Sequence, residues 1–177
     1  MTDDIARPAE GDVVELILDD HRRFEELLRA LRDETSDRQT LRQQMSRLLV
    51  AHGEAEESQV YPQLQGKHAI DEEEAEHGVL EHDEGYETLL PLLEADAVSS
   101  EEFSQAIHEF SETLLHHLDE EERDILNPAR VDVSDHQREV LGANWCRERN
   151  RLLDDPDSGT LTDVRRLVEV AEQRQRG

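Results

Sequence analysis

Four segments of this chain carry apolar residues at helical spacings of three and four, and a histidine interrupts every one of the four stripes. The first stripe runs Ile17, His21, Phe24, Leu28, Leu31, and the second Leu41, Met45, Leu48, His52, Glu56, Val60. The third runs Val79, His82, Tyr86, Leu89, Leu93, and the fourth Phe103, Ile107, Phe110, Leu114, His117, Glu121, Ile125. Any fold that buries these faces must therefore also bury four imidazoles and two carboxylates.

The segments cover roughly residues 12 to 34, 37 to 65, 71 to 95 and 99 to 127. Helix-start residues precede them: Gly11-Asp12 before the first, Thr35-Ser36-Asp37 before the second, and Ser99-Ser100-Glu101-Glu102 before the fourth. Pro62 and Gly66 mark the end of the second, and Pro128 is expected to close the fourth. Short connections make successive helices antiparallel neighbours, so the expected fold is all-α, an up-down-up-down four-helix bundle over 12–128. Residues 1–11 read as an N-terminal tail. Residues 129–177 read as a helical extension, with helices over 134–153 and 160–174 that dock on the bundle or join a second copy as a homodimer.

An ionised carboxylate buried without a partner costs several kcal/mol, and a net stability of roughly 5 to 15 kcal/mol can hardly absorb two such losses. Either the two glutamates are protonated or cations accompany them. A single core histidine is usually a hydrogen-bonded structural residue, but four of them in phase with two carboxylates change that balance. Positions i and i+4 share a helix face, so His52 with Glu56, and His117 with Glu121, each form a two-pronged ligand pair, to which His21 and His82 add one nitrogen apiece. About six nitrogen and oxygen donors with no thiolate suit octahedral iron or manganese better than tetrahedral zinc. Two inward carboxylates can bridge a metal pair, and the simplest assignment puts His21 and His52 on one ion and His82 and His117 on the other. Tyr61 and Tyr86 lie close enough in sequence to contact such a site, although a core tyrosine with one hydrogen bond is the more ordinary role. The histidines at 68, 77, 108, 116 and 136 fall outside the stripes and read mostly as solvated.

The charge is −26, from 45 acidic residues against 19 basic ones, which argues against a nucleic-acid partner because phosphate neutralisation needs a basic face. Such an excess repels itself at low ionic strength, as expected of a salt-adapted or merely acidic protein. Cys146 is the only cysteine, so no disulfide and no Cys-based metal site forms within one chain. With no apolar run of about 18 residues and an acidic, polar start, no membrane association is expected, and the location expected is cytoplasmic.

The segments DDHRRFEELL around His21, AHGEAEESQVYPQL around His52, LEHDEGYETLLPLL around His82 and LLHHLDEEERDIL around His117 together resemble the hemerythrin-like, cation-binding HHE family over about residues 12–128. The resemblance implies a non-haem centre of two iron ions bridged by an oxo or hydroxo group, and the donor chemistry leaves manganese as the alternative. His21, His52, His82 and His117 would be terminal ligands, and Glu56 and Glu121 bridges. It further implies a protein that binds, senses or detoxifies oxygen, peroxide or nitric oxide, or handles iron, with peroxide or nitric-oxide turnover as the enzymatic version. An iron-sulfur repair or iron-delivery role is one alternative and a metal-free helical interaction protein another. Oxygen-carrying members have a fifth histidine four residues before the third-helix ligand, where this chain has Gly78, and an Asp five after the last histidine, where it has Glu122. His77 stands one residue out of phase and would need a π-type bulge to act as an extra ligand.

Overall fold

A computed structural model describes residues 5–176. The bundle is built from α1 (Val13–Arg32), α2 (Arg38–Ala55), α4 (Glu72–Glu94) and α5 (Glu101–Glu121), with a short α3 (Tyr61–Gly66) continuing the line of α2. The start signals act as anticipated. Asp12 accepts a hydrogen bond from the Val14 amide, Asp37 from Thr40, and Ser100 from Phe103. Asp71 and Glu74 form a reciprocal capping box at the head of α4. Each such cap stabilises its helix by about 1 kcal/mol. Around the bundle α1 packs on α2, α2 on α4, α4 on α5, and α5 back on α1, the ring that short antiparallel connections produce.

The second helical run ends at Gly66 as expected, but the fourth does not end where its proline suggests, and both change register before the proline. After α2 a single π-helical turn, Glu56–Val60, leads into α3 with Pro62 in its first turn. After α5 a matching π turn, Glu122–Leu126, leads into α6 (Asn127–Asp132), so Pro128 does not close the fourth helix as expected from sequence. Inside an α-helix the proline ring collides with the carbonyl four residues earlier and lacks the amide hydrogen that would bond it. The wider π turn changes that register, and each proline then falls in a first turn, where no amide hydrogen is needed. Both π turns begin at or immediately after a buried inward glutamate, Glu56 or Glu121.

The hydrophobic core is divided. One apolar cluster gathers Phe24, Leu28, Met45, Leu48, Leu89, Phe110 and Leu114, and another gathers Ile17, Val60, Tyr61, Leu64, Ile125 and Trp145. Along the helices His21 separates Ile17 from Phe24, His52 and Glu56 separate Leu48 from Val60, and His117 and Glu121 separate Leu114 from Ile125. A polar layer is thereby enclosed between two apolar ones.

The extension docks on its own bundle. Helix α7 (Asp135–Asp154) packs against α1 and α2, and α8 (Leu161–Arg176) against α4. Trp145 and Cys146 are fully buried there, and burial pushes the Cys146 thiol pKa up, which keeps it unreactive. Part of the N-terminal tail is tied down as well: Ile5 is buried, the Ala6 carbonyl accepts from Arg149, and the Pro8 carbonyl accepts from Asn150. No helix among the described residues is long and apolar enough to cross a membrane.

Candidate metal centre

All six in-phase polar residues lie in the enclosed layer, none more than 4% exposed. His21 Nε2 is 3.1 Å from Glu121 Oε2, and His117 Nε2 is 3.7 Å from the same oxygen. His52 Nε2 is 3.1 Å from Glu56 Oε1, and His82 Nε2 is 3.2 Å from Glu56 Oε2. Each inward glutamate thus faces two imidazoles from two different helices, and Glu56 does so with one oxygen toward each. The rings pair off, His21 with His52 at 5.4 Å between centroids and His82 with His117 at 4.8 Å. Ligand atoms of His21, His52 and Glu121 all lie within 4.8 Å of one another, close enough to share a cation.

Every imidazole also turns its other nitrogen outward onto a carboxylate. His52 Nδ1 donates to Asp20 at 3.1 Å, His82 to Glu57 at 2.9 Å, His117 to Glu81 at 3.0 Å, and His21 to Glu122 at 2.8 Å. These partners form a closed circuit, in which each bundle strut supplies a carboxylate to the histidine on the next: α1 to α2, the turn after α2 to α4, α4 to α5, and the turn after α5 back to α1. Such an acceptor fixes Nδ1 as the donor and leaves the Nε2 lone pair free for a metal.

Of these four carboxylates only Glu122 was noted in the sequence, as the residue five after His117, yet each sits directly beside an inward donor: Asp20 beside His21, Glu57 beside Glu56, Glu81 beside His82, and Glu122 beside Glu121. Consecutive helical residues point about 100° apart, so a carboxylate next to an inward donor points along the bundle wall at the neighbouring helix. That adjacency was the available signal.

The donor set fits cations on its own chemistry. His52 Nε2, Glu56 Oε1 and His117 Nε2 are buried and have no hydrogen-bond partner among the described residues, although His52 Nε2 and Glu56 Oε1 stand 3.1 Å apart. Two facing lone pairs repel unless a positive charge lies between them. Protons can supply that charge: burial pulls the His21 pKa down, but its hydrogen bonds to Glu121 and Glu122 raise it to about 9. Burial likewise opposes the charged form of His82, and hydrogen bonds to Glu56 and Glu57 outweigh it and hold its pKa well above the usual value. For Glu121 burial acts to raise the pKa, while the His21 hydrogen bond and the surrounding imidazoles pull it below the ordinary carboxylate range. Protons and metal ions therefore compete for the same lone pairs.

The extension reaches this network. Arg149 of α7, 2% exposed, holds Asp20 with Nε at 2.7 Å and Nη2 at 2.6 Å, and lies over the Trp145 ring. Burial raises the Asp20 pKa, but the His52 hydrogen bond and the Arg149 charge bring it below normal. On the far side Arg174 of α8 binds both oxygens of Asp83, at 2.7 and 2.8 Å, and approaches Glu57 at 3.9 Å. Arg149 thus stands behind the carboxylate that holds His52, and Arg174 comes near the one that holds His82.

Of the two tyrosines, Tyr61 enters the centre. Its hydroxyl donates to Glu121 Oε1 at 3.0 Å and lies 3.5 Å from both Glu56 Oε2 and His82 Nε2, with its ring stacked on His82. Burial raises its pKa well above 10, so it stays a donor. Tyr86 is buried one turn from His82 with no partner for its hydroxyl among the described residues. His77 does not reach the centre, because α4 runs through it without a π bulge, and its side chain is 56% exposed.

Gly78 has a physical reason. A Cβ there would stand 3.0 Å from the Tyr61 ring and hydroxyl, so the phenol fills the place that a larger side chain at 78 would take. Gly78→His is expected to destabilise the protein by about 2 kcal/mol through overpacking, and to cost much less when it is added to Tyr61→Ala, which leaves the ring's space open. Urea midpoints of the single and double variants measure both; a harmless single variant would show that Tyr61 moves aside freely.

No match is found among curated proteins or solved structures. The sequence does match the hemerythrin HHE cation-binding domain over residues 12–129, a span that takes in α1 through the π turn after α5 and both halves of the donor layer. With that match over most of its length, and with histidines and glutamates from four helices meeting in one buried layer, this chain belongs to the hemerythrin HHE cation-binding family.

Proposed function

We propose that the buried layer holds two iron ions, His21 and His52 on one and His82 and His117 on the other, with Glu56 and Glu121 bridging, and that the protein binds or detoxifies a small oxidant there. The observation that carries this reading is the common orientation of all four imidazoles, Nε2 inward and Nδ1 onto a carboxylate, which is the way metal-ligating histidines are held. A structural histidine needs no such matched outer partner. A bound iron pair supplies one-electron redox chemistry and open positions that admit oxygen, peroxide or nitric oxide.

The chain's own residues do the rest. The two apolar clusters exclude bulk water from the layer, which strengthens every electrostatic contact inside it. Tyr61 keeps its proton at the hydroxyl and presents a donor beside both bridging carboxylates. Where oxygen-carrying relatives have a fifth histidine this chain has Gly78 and the Tyr61 ring, which favours oxidant sensing or removal over reversible oxygen carriage.

Elemental analysis of protein expressed with iron should find about two ions per chain, with an optical spectrum that changes on adding peroxide or nitric oxide. Purified protein that holds no metal after such expression would sink the reading.

A further inference from the structure

Histidine and carboxylates meet a second time, at the bundle surface. His77 of α4 places Nε2 2.9 Å from Glu120 Oε2 on α5 and 3.8 Å from Glu81 Oε1. One ligand atom from each of these three residues lies within 4.8 Å of the others. His116 Nε2 approaches the same Glu120 oxygen at 3.6 Å, while Arg123 binds the other oxygen at 3.2 Å and leaves Oε2 turned toward His77.

Acidic groups near an exposed histidine are ordinary on a protein of this charge. Glu81 makes this one different. It is 6% exposed, and one of its oxygens accepts from His117 Nδ1. Its other oxygen, Oε1, is buried with no hydrogen-bond donor among the described residues, although it faces His77. A buried acceptor left unsatisfied is costly, and a cation placed between Glu81 Oε1, Glu120 Oε2 and His77 Nε2 satisfies it.

The cluster lines a surface cavity of about 470 Å³ whose wall also includes Asp71, Glu73, Glu74 and Asp124, and which reaches the inward carboxylate Glu121. Clefts walled by one sign of charge concentrate ions of the other sign. We propose that His77, Glu81 and Glu120 form a capture site for a divalent cation, ferrous iron or manganese, from which the central layer is loaded through this acidic cavity. One nitrogen and two oxygens suit such hard or borderline ions. Only three protein ligands leave the remaining positions to water, so the ion is held firmly enough to collect and loosely enough to pass on. Glu81 touches both stations, since its second oxygen already holds His117.

The proposal rests on the central site binding metal, and the test separates the two. Manganese is titrated into wild type, His77→Ala, Glu120→Gln and Glu121→Ala by equilibrium dialysis, and anaerobic ferrous loading of the centre is followed by stopped flow. Wild type should bind about three ions per chain and each surface variant about two, with loading at low iron slowed about tenfold and the end point unchanged. Glu121→Ala should lose the central ions and keep the surface one. If both surface variants match wild type in stoichiometry and loading rate, the capture site is overturned and the centre stands. If wild type binds a single ion that His77→Ala removes, the capture site stands and the central assignment fails.

Discussion

Loading both positions of the metal-free centre with ferrous iron at about a thousand times its dissociation constant is expected to raise the melting temperature by roughly 20 °C. Binding confined to the folded state contributes about 4 kcal/mol per site at that excess, and for a chain of this size each kcal/mol shifts the melting point by about 2 to 4 °C. The gain is large because the folded chain has already assembled the donors, whereas the unfolded chain has none of this geometry. Its pH dependence has a definite sign. In the metal-free protein His21 has its pKa raised to about 9 from the usual 6.5, so its contribution is complete below about pH 6.5 and is lost as pH rises through 9. That shift corresponds to roughly 3 kcal/mol. Metal must displace the same protons, so metal affinity rises over the same interval. The gap between loaded and metal-free melting temperatures should therefore widen from pH 6.5 to 9, as differential scanning calorimetry would show. A gap that narrowed would mean that the protons do not sit on the inward nitrogens.

The second large effect is expected from a residue outside the bundle. Arg149→Met should destabilise the protein by about 3 to 5 kcal/mol, because it strands the Asp20 carboxylate in the core. It should also weaken metal binding by about 10- to 100-fold, since Asp20 orients His52 and depends on Arg149 for its charge balance. The double variant Asp20→Leu with Arg149→Met separates the two roles. Replacing both charges by apolar groups should restore much of the stability, as is common for buried ion pairs, but not the affinity, because His52 Nδ1 still lacks its acceptor. Chemical denaturation and metal titration of the wild type, the single and the double variant measure this. Metal affinity that recovered along with stability would make the α7 arginine a packing element only.

The bundle and its six inward donors were legible from period alone. A helix repeats every 3.6 residues, so residues that share a stripe share a face, and the apolar neighbours of His21, His52, Glu56, His82, His117 and Glu121 declared that face to be the core. The same reasoning excluded the other histidines from the core, and His108 and His116 are indeed exposed at 70% and 67%. It failed at Pro128, because period carries no information about a local change from α to π register, which the helix uses to pass the proline.

What one-dimensional spacing could not supply was every relation between helices. That Asp20 serves His52 and not its neighbour His21, that Glu57 serves His82, and that Arg149 returns from more than a hundred residues away to hold Asp20 depend on which walls face one another. The extension could have docked anywhere its apolar faces were covered, since burial has no direction, and the paired charges on α7 and α8 became visible only once docked. The chain's own periodicity thus determined that charged donors are enclosed in a helical core. Tertiary packing decided which carboxylate orients which histidine, and that His77, off the core face, meets Glu81 and Glu120 in an acidic cavity beside it.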